Sequence, residues 1–306
     1  MLHYVVRRVI HLIPTLLAVS FIVFALVRMI PGDPALAIAG PEATPEIIAE
    51  IREALGLNRP LLTQYAGYLA GLLRGDLGAS IRTHQPVWAD LWLRLPATLE
   101  LAAAGMLISL AAGIGLGVAA ALRPGSWTDM SARFLSLFGV SSPTFATGLL
   151  FMLVFGYYLR LFPIAGSGGA RYLVLPAVTA ALTSVAFLTR LTRASLIEVL
   201  AQDYVRTARA KGLALYTVVA KHALPNAVIA PVTVAGLEFG RLITGVVVLE
   251  TIFARPGIGK MLVDAIQFRD FPVIQGLILV FAVMFALVNV GVDLAYAVAD
   301  PRIRLG

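Results

Sequence analysis

The sequence has no cysteine and little charge. Among its 306 residues, Asp, Glu, Lys and Arg together account for 13%, and there are four histidines. Without cysteine there can be no disulfide framework, no cysteine-ligated zinc cluster and no thiol nucleophile. Because an average soluble domain carries about 25% charged residues, the low charge argues against a soluble enzyme and against a disordered chain.

Motifs for catalysis and nucleotide binding are also missing. No histidine lies deep in an apolar segment, and no two have the spacing of metal ligands. The nearest match to a phosphate-binding loop is Gly257-Ile258-Gly259-Lys260, but Ala254 replaces its first glycine and Met261 its Ser or Thr. The sequence therefore predicts no catalytic residue, no cofactor site and no metal site, and it is not expected to be an enzyme.

The sequence is instead rich in long apolar segments. It is 59% hydrophobic, with a mean hydropathy of +0.88. A membrane-spanning helix needs roughly 20 mostly apolar residues. Six segments meet this requirement, at 9–28, 98–122, 134–159, 173–192, 228–253 and 272–297. They lack the alternation of barrel strands, so we predict an all-α membrane protein with six transmembrane helices.

Basic residues predict the orientation of the spans. With the N-terminus inside, the inner segments hold twelve Lys and Arg, whereas the longer outer segments hold ten. The positive-inside rule then places both termini in the cytoplasm. The net charge of +7 is spread along the chain, which favours this membrane signal over nucleic-acid binding. We expect a multi-pass protein of the bacterial inner membrane.

Three parts of the chain are distinguished by composition. Residues 1–30 hold the N-terminus and span one, 31–97 form an external excursion, and 98–306 form a five-span core. In the excursion, Thr44-Pro45-Glu46 predicts a helix start, and a second helical pattern covers 61–74. The excursion is either an amphipathic cap on the outer membrane surface or a docking platform for an external partner, and the two readings are compatible.

The predicted cytoplasmic loop at 193–227 carries the most information. Its first part favours a basic helix that ends at Gly212. A second short helix is predicted at 214–223, stopping before Pro225. A helix–glycine–helix unit that projects from the membrane can enter a cleft on a soluble partner. The alternative is a basic surface helix that contacts anionic lipid.

Ionisable groups inside spans are candidates for a substrate path. Glu238 and Arg241 are three residues apart in span five, and Asn289 lies in span six. The pair is either a neutralised structural contact or part of a hydrated path. Gly113 and Gly117 are predicted to permit close helix approach, and Pro143 is predicted to bend span three.

The loop resembles that of ABC transporter permeases, which carry a cytoplasmic E-A-A-x-x-x-G-x(9)-I-x-L-P segment. The second Ala, the Gly and the Leu-Pro are matched, whereas Arg206, Thr207 and His222 replace the Glu, the first Ala and the Ile. This variant is similar to the dipeptide/oligopeptide/nickel branch. The matching residues that the resemblance assigns to ATPase coupling are Asp203, Tyr204, Arg206, Thr207, Ala208, Arg209, Lys211, Gly212, Leu224 and Pro225.

Motifs along the whole chain resemble the same branch. They are Arg7-Arg8, Ile30-Pro31-Gly32-Asp33-Pro34, Gly75-Asp76-Leu77-Gly78-x-Ser80, Pro96-Ala97-Thr98-Leu99-Glu100-Leu101, Glu250-Thr251-Ile252-Phe253, Pro256-Gly257-Ile258-Gly259 and Asp300-Pro301-Arg302-Ile303-Arg304. The long excursion at 31–97 resembles the first of the two non-identical permeases in such systems.

The resemblance implies a permease subunit of an ATP-driven importer, with alternating access as its mechanism. The implied partners are a second homologous permease, two ATPase subunits that bind ATP and Mg²⁺, an external substrate-binding protein and the lipid membrane. Di- or oligopeptides are the first expected substrates, with nickel or glutathione as alternatives. A self-contained secondary transporter and a membrane scaffold without transport are the rival hypotheses.

Overall fold

The chain folds into helices joined by short turns. The computed structural model describes residues 2–29, 34–39, 43–54 and 56–299. The helices in the first half are α1 Leu2–Met29, α2 Pro34–Ala39, α3 Pro45–Ala54, α4 Leu61–Leu73, α5 Val87–Leu122, α6 Trp127–Ser141 and α7 Thr144–Phe151. Those in the second half are α8 Ala170–Leu200, α9 Asp203–Ala210, α10 Leu215–Thr217, α11 Leu224–Ala227, α12 Ile229–Ile252, α13 Ile258–Gln267 and α14 Phe271–Ala299.

Five of the described helices, α1, α5, α8, α12 and α14, are long and apolar enough to cross a membrane. A sixth crossing is added if α6 and α7 count together, with the π-helical turn Met152–Tyr158 that extends α7. The chain bends by 111° between them, and Pro143 lies at the break. The predicted all-α membrane fold and the bend at Pro143 are therefore confirmed.

Span two begins earlier than the sequence suggested. Helix α5 starts at Val87 rather than at residue 98 and continues through Pro96. Trp88 and Trp92 are exposed in its first turns, with ring centroids 5.3 Å apart. The apolar pattern did not include these turns because they carry Asp90 and Arg94. A helix end that lies outside the hydrocarbon can be polar, so the helix is longer than its apolar part.

Two compact units make up the chain, and the first comprises residues 1–96 and 257–286. In this unit α1 packs on α4, where Ser20 Oγ lies 2.8 Å from Tyr65 Oη and the ring of Phe24 meets Tyr65 edge-on. Burial raises the pKa of the Tyr68 hydroxyl to about 12.

Residues 30–33 of the motif after span one are outside the described residues, as is the segment 300–304.

Asp270 fixes the turn at 79–86 within the first unit. Its buried carboxylate accepts hydrogen bonds from Ser80 Oγ and from the backbone N–H of Ile81, the latter at 3.1 Å. Ala79 and Pro86 form an isolated antiparallel bridge across the same turn. The turn at 79–86 is thus attached to the segment that joins α13 to α14.

The second unit comprises residues 97–256 and 287–306, and α8 is central to it. Small residues let α5 approach α8 closely, because a Cβ at Gly113 would lie 2.7 Å from Leu188 Cβ and one at Gly117 would lie 2.6 Å from Thr192 Cβ. The predicted close contact at these two glycines is confirmed, and no larger residue fits there without a shift.

Contacts at the two ends of α8 show that the bent pair α6–α7 crosses the unit. At the C-terminal end of α8, Arg193 binds Asp129 near the start of α6. At the other end, the N–H of Gly166, just before α8, donates to Phe253 O at the end of α12. From Ala170 to Arg193, α8 rises about 35 Å, so the chain from 129 to 166 must cover about that distance.

Candidate functional site

Residues 203–225, here called the coupling segment, form a short helical unit between α8 and α12. Helix α9 opens with Asp203 in its first turn and has Arg209 in its last turn. These charges oppose the partial charges of the helix ends and stabilise a helix of only 8 residues. The predicted basic helix is thus present at the predicted place.

One face of α9 is buried in an apolar cluster. Val205 is fully buried and Ala208 is 6% exposed, so the two residues at i and i+3 share the inner face. The cluster contains Ala121 from α5, Leu196 from α8, Val205, Ala208, Val218, Ala223 and Ala227. Because the cluster includes residues of two long helices, the coupling segment is held by the membrane core rather than hanging from a loop.

The opposite face of α9 is exposed and basic. Asp203, Arg206, Thr207, Arg209 and Lys211 are all exposed. Arg206 lies 3.5 Å from Asp203, but both side chains are open to solvent, so this ion pair contributes little to stability. The exposed face therefore keeps a net positive charge that can meet an acidic surface.

Gly212 ends the first half of the segment in a left-handed conformation, with φ of +79°. No atom lies within 4 Å of the position that a Cβ would take, so the glycine is needed for its backbone conformation and not for space. Large apolar side chains follow it on the surface. Leu213, Leu215 and Tyr216 are exposed, Tyr216 to 83%.

The second half of the segment differs from its prediction. Helix α10 passes into a π-helical turn, Val218–Ala223, and then into α11, which includes Pro225. Pro225 therefore does not end the helix. It sits in the first turn of α11, where its missing N–H costs little, and the wider π-helical turn before it accommodates the lost hydrogen bond.

A hydrogen bond joins the two halves. The side-chain amide of Asn226 donates to the Tyr204 hydroxyl at 3.0 Å and to the carbonyl of His222 at 3.2 Å. Of the two remaining predicted residues, Leu224 is partly buried and Pro225 is exposed. Asn226 was not predicted as a link. Nor were the exposed Leu213, Leu215 and Tyr216, although they stand out as apolar residues in a basic loop.

Glu238 and Arg241 form the ion pair that their spacing predicted. Arg241 Nη1 donates to Glu238 Oε1 at 2.8 Å, and Ser184 Oγ donates to Glu238 Oε2 at 3.2 Å. Glu238 is buried, whereas the Arg241 side chain is 71% exposed. A guanidinium so exposed indicates that the pair is not sealed inside the bundle.

A cavity of about 200 Å³ lies beside this pair, lined by Glu238, Arg241, Ser184, Thr183, Thr144 and neighbouring apolar residues. It offers both signs of charge and several hydroxyls. Asn289 does not line this cavity and is partly buried on α14. The structure thus brings two of the three predicted path residues together and leaves the third apart.

Further charged contacts lie at the other end of the second unit. The buried Glu250 accepts a hydrogen bond from Thr98 Oγ1, and Arg255 Nη2 donates to Glu100 Oε2 at 2.8 Å. Within the described residues, no group of three or more His, Asp or Glu side chains could hold a metal ion.

Comparison with known proteins identifies the family. Residues 113–305 match the model for "Binding-protein-dependent transport system inner membrane component", and residues 1–102 match its N-terminal companion. The chain is 42% identical over 304 residues to the glutathione transport system permease protein GsiC of Salmonella typhimurium (strain LT2), covering 99% of both chains. It is 43% identical to GsiC of Escherichia coli O6:H1 over the same coverage.

Two solved structures share the fold. An amino acid ABC transporter with histidines has a TM-score of 0.54 at 15% identity, covering 67% of this chain and 92% of that one. The MetNI methionine ABC transporter, in an inward-facing conformation, has a TM-score of 0.51 at 18% identity, covering 70% and 94%.

The chain is a helical bundle with several candidate membrane spans and an exposed, core-anchored segment between two of them. The chain belongs to the family of binding-protein-dependent transport system inner membrane components. It is a permease subunit of an ABC importer, as the dipeptide/oligopeptide/nickel resemblance implied.

Proposed function

We propose that this permease forms half of a translocation pathway and that its coupling segment receives the motion of an ATPase subunit. The segment supports this role because it is exposed on one face and buried among residues of α5 and α8 on the other. A displacement of α9 is therefore passed to two long helices at once.

The exposed surface of the segment has the chemistry of a docking site. Arg206, Arg209 and Lys211 can make charge-assisted contacts with acidic groups of the ATPase, while Leu215 and Tyr216 supply apolar area. ATP and Mg²⁺ bind the two ATPase subunits, and this chain holds neither. Closure of the ATPases on ATP biases the permease between its two access states.

We place the coupling segment and both termini in the cytoplasm. The positive-inside count supports the cytoplasmic side, and the crossing of the bent pair α6–α7 supports a shared side for the termini, because six crossings return the chain to its starting side. Val292, near the end of α14, packs against Gly236 in the first two turns of α12. The C-terminal end of α14 therefore lies on the side of the coupling segment.

The substrate we propose is a short peptide, and glutathione is its first candidate. The relatives named as glutathione permeases support this class. The cavity beside Glu238 and Arg241 also suits it, because a peptide carries an ammonium group and a carboxylate that an acidic and a basic side chain can bind. A second permease, not identical to this one, and an external binding protein complete the importer.

Co-purification and uptake together test the proposal. The permease is expressed with its candidate partner subunits, purified and reconstituted in proteoliposomes with the binding protein. Uptake of labelled glutathione, a dipeptide and Ni²⁺ is then compared with and without ATP. We expect stoichiometric ATPase subunits and ATP-dependent uptake of glutathione or the dipeptide.

Each rival hypothesis has its own result. Uptake by the permease alone, driven by an ion gradient, would identify a secondary transporter. Unchanged solute uptake after deletion of the chain would identify a scaffold. Uptake of Ni²⁺ in preference to both peptides would assign the metal as substrate instead.

A further inference from the structure

A second cavity, of about 430 Å³, lies between α6 and α8 on the same side as the coupling segment. Three of its lining residues are arginines, namely Arg133, Arg190 and Arg193, and Ser136 and Thr189 add hydroxyls. It is separate from the cavity beside Glu238, since the two share no lining residue. Nothing in the proposed transport mechanism uses it.

The cavity carries uncompensated positive charge. The carboxylate of Asp129 is buried and binds both Arg133 and Arg193, the latter through Nε at 2.6 Å and Nη2 at 3.0 Å. One carboxylate neutralises one of the three guanidinium groups, so a charge of +2 remains at the lining. Arg190, which is exposed, packs only loosely over the ring of Phe187, at 5.5 Å.

A buried hydroxyl lines the same cavity. Thr189 is 1% exposed, and its Oγ1 has no hydrogen-bond partner among the described residues. A buried polar group without a partner costs free energy, and rotation of this side chain about χ1 would turn the hydroxyl into the positively charged cavity, where a polar ligand can accept its hydrogen bond. An anion with acceptor oxygens satisfies both the hydroxyl and the arginines.

Apolar side chains flank the charged lining. Leu137 and Val140 line the cavity and are 67% and 53% exposed, and Phe134 on the same helix is 71% exposed. On a transmembrane helix such side chains can contact lipid tails. A basic pocket between two transmembrane helices, beside an apolar surface, is typical of a lipid headgroup site.

We propose that this cavity binds the phosphate of an anionic phospholipid, with Arg190, Arg193 and Thr189 as its contacts and α6 as the surface for an acyl chain. The proposed cytoplasmic orientation determines only which leaflet supplies the lipid. A lipid phosphate and a free phosphate ion present the same anionic oxygens to the cavity. The experiment must therefore distinguish the phospholipid from soluble phosphate.

Native mass spectrometry of the purified transporter complex tests the site. The complex is titrated with short-chain phosphatidylglycerol, short-chain phosphatidylcholine and inorganic phosphate. We expect selective binding of phosphatidylglycerol, weakened about tenfold by Arg190→Gln, because a hydrogen bond to a charged group is lost. Thr189→Val removes only the hydroxyl and keeps the volume, and is expected to weaken binding about threefold.

Arg123→Gln is the matched control, because Arg123 is an exposed arginine on the same side of the unit that does not line the cavity. Equal binding of both lipids, or an equal loss in Arg123→Gln and Arg190→Gln, would overturn the proposal. Binding of inorganic phosphate as tight as that of phosphatidylglycerol would overturn the lipid assignment.

Transport and ATPase content are measured in the same preparation. Normal uptake without selective lipid binding would refute only the lipid site. Selective lipid binding without associated ATPase subunits would refute only the proposed function.

Discussion

Replacing Val205 by alanine should uncouple ATP hydrolysis from uptake. The Val205 side chain is fully buried in the cluster that holds α9 against α5 and α8. The change removes two buried methyl groups, each worth about 0.8 kcal/mol, and leaves a small cavity, for a total of about 2 kcal/mol. Since about 1.4 kcal/mol is a tenfold change in an equilibrium, the undocked population of α9 should rise about thirtyfold.

The assay is the amount of substrate imported per ATP hydrolysed in proteoliposomes that contain the whole importer. We expect a lower ratio in Val205→Ala with membrane insertion unchanged. Ala210→Ser is the control, because Ala210 is an exposed residue of the same helix. A wild-type ratio in Val205→Ala, at matched protein content, would refute the argument that the apolar cluster transmits the motion of α9.

Three further predictions concern single contacts. Gly212→Val should lower the same ratio more than Gly212→Asn, because a left-handed residue costs about 1–2 kcal/mol with a side chain, and asparagine adopts that conformation more readily than valine. Arg193→Gln should lower the melting temperature of the purified subunit more than Arg133→Gln, because Arg193 ties Asp129 to another helix and is less exposed. Asp270→Asn should weaken the attachment of the 79–86 turn by about 1–3 kcal/mol, so protease added to the purified protein should cut that turn faster than in wild type.

The fold was predictable where the sequence pattern is local. Apolar runs located the spans, Pro143 located the bend, and Gly113 and Gly117 located a close helix contact, because each effect depends on residues within a few turns. The start of α5 was missed because its first turns carry charge. The path of the chain through Pro225 was missed because a π-helical turn depends on packing of the Val218–Ala223 stretch.

Contacts between distant residues were not predictable. Asp129 and Arg193 are 64 residues apart, and Ser80 and Asp270 are 190 apart. No local periodicity connects such residues, because their meeting depends on how whole helices pack. The ion pair of Glu238 and Arg241 was predicted, because residues at i and i+3 share a helix face, but the cavity beside it depends on α8.

The length of α8 determines how far the coupling segment stands from the bilayer. Arg190 marks the inner edge of the apolar stretch in the proposed orientation, and ten more residues follow to the helix end at Leu200. The segment folds back onto this extension at Leu196, which at 1.5 Å per residue lies about 9 Å beyond Arg190, whereas one headgroup layer is about 5–8 Å thick. The exposed face of α9 therefore lies at the outer edge of the headgroup layer, where a water-soluble subunit can contact it.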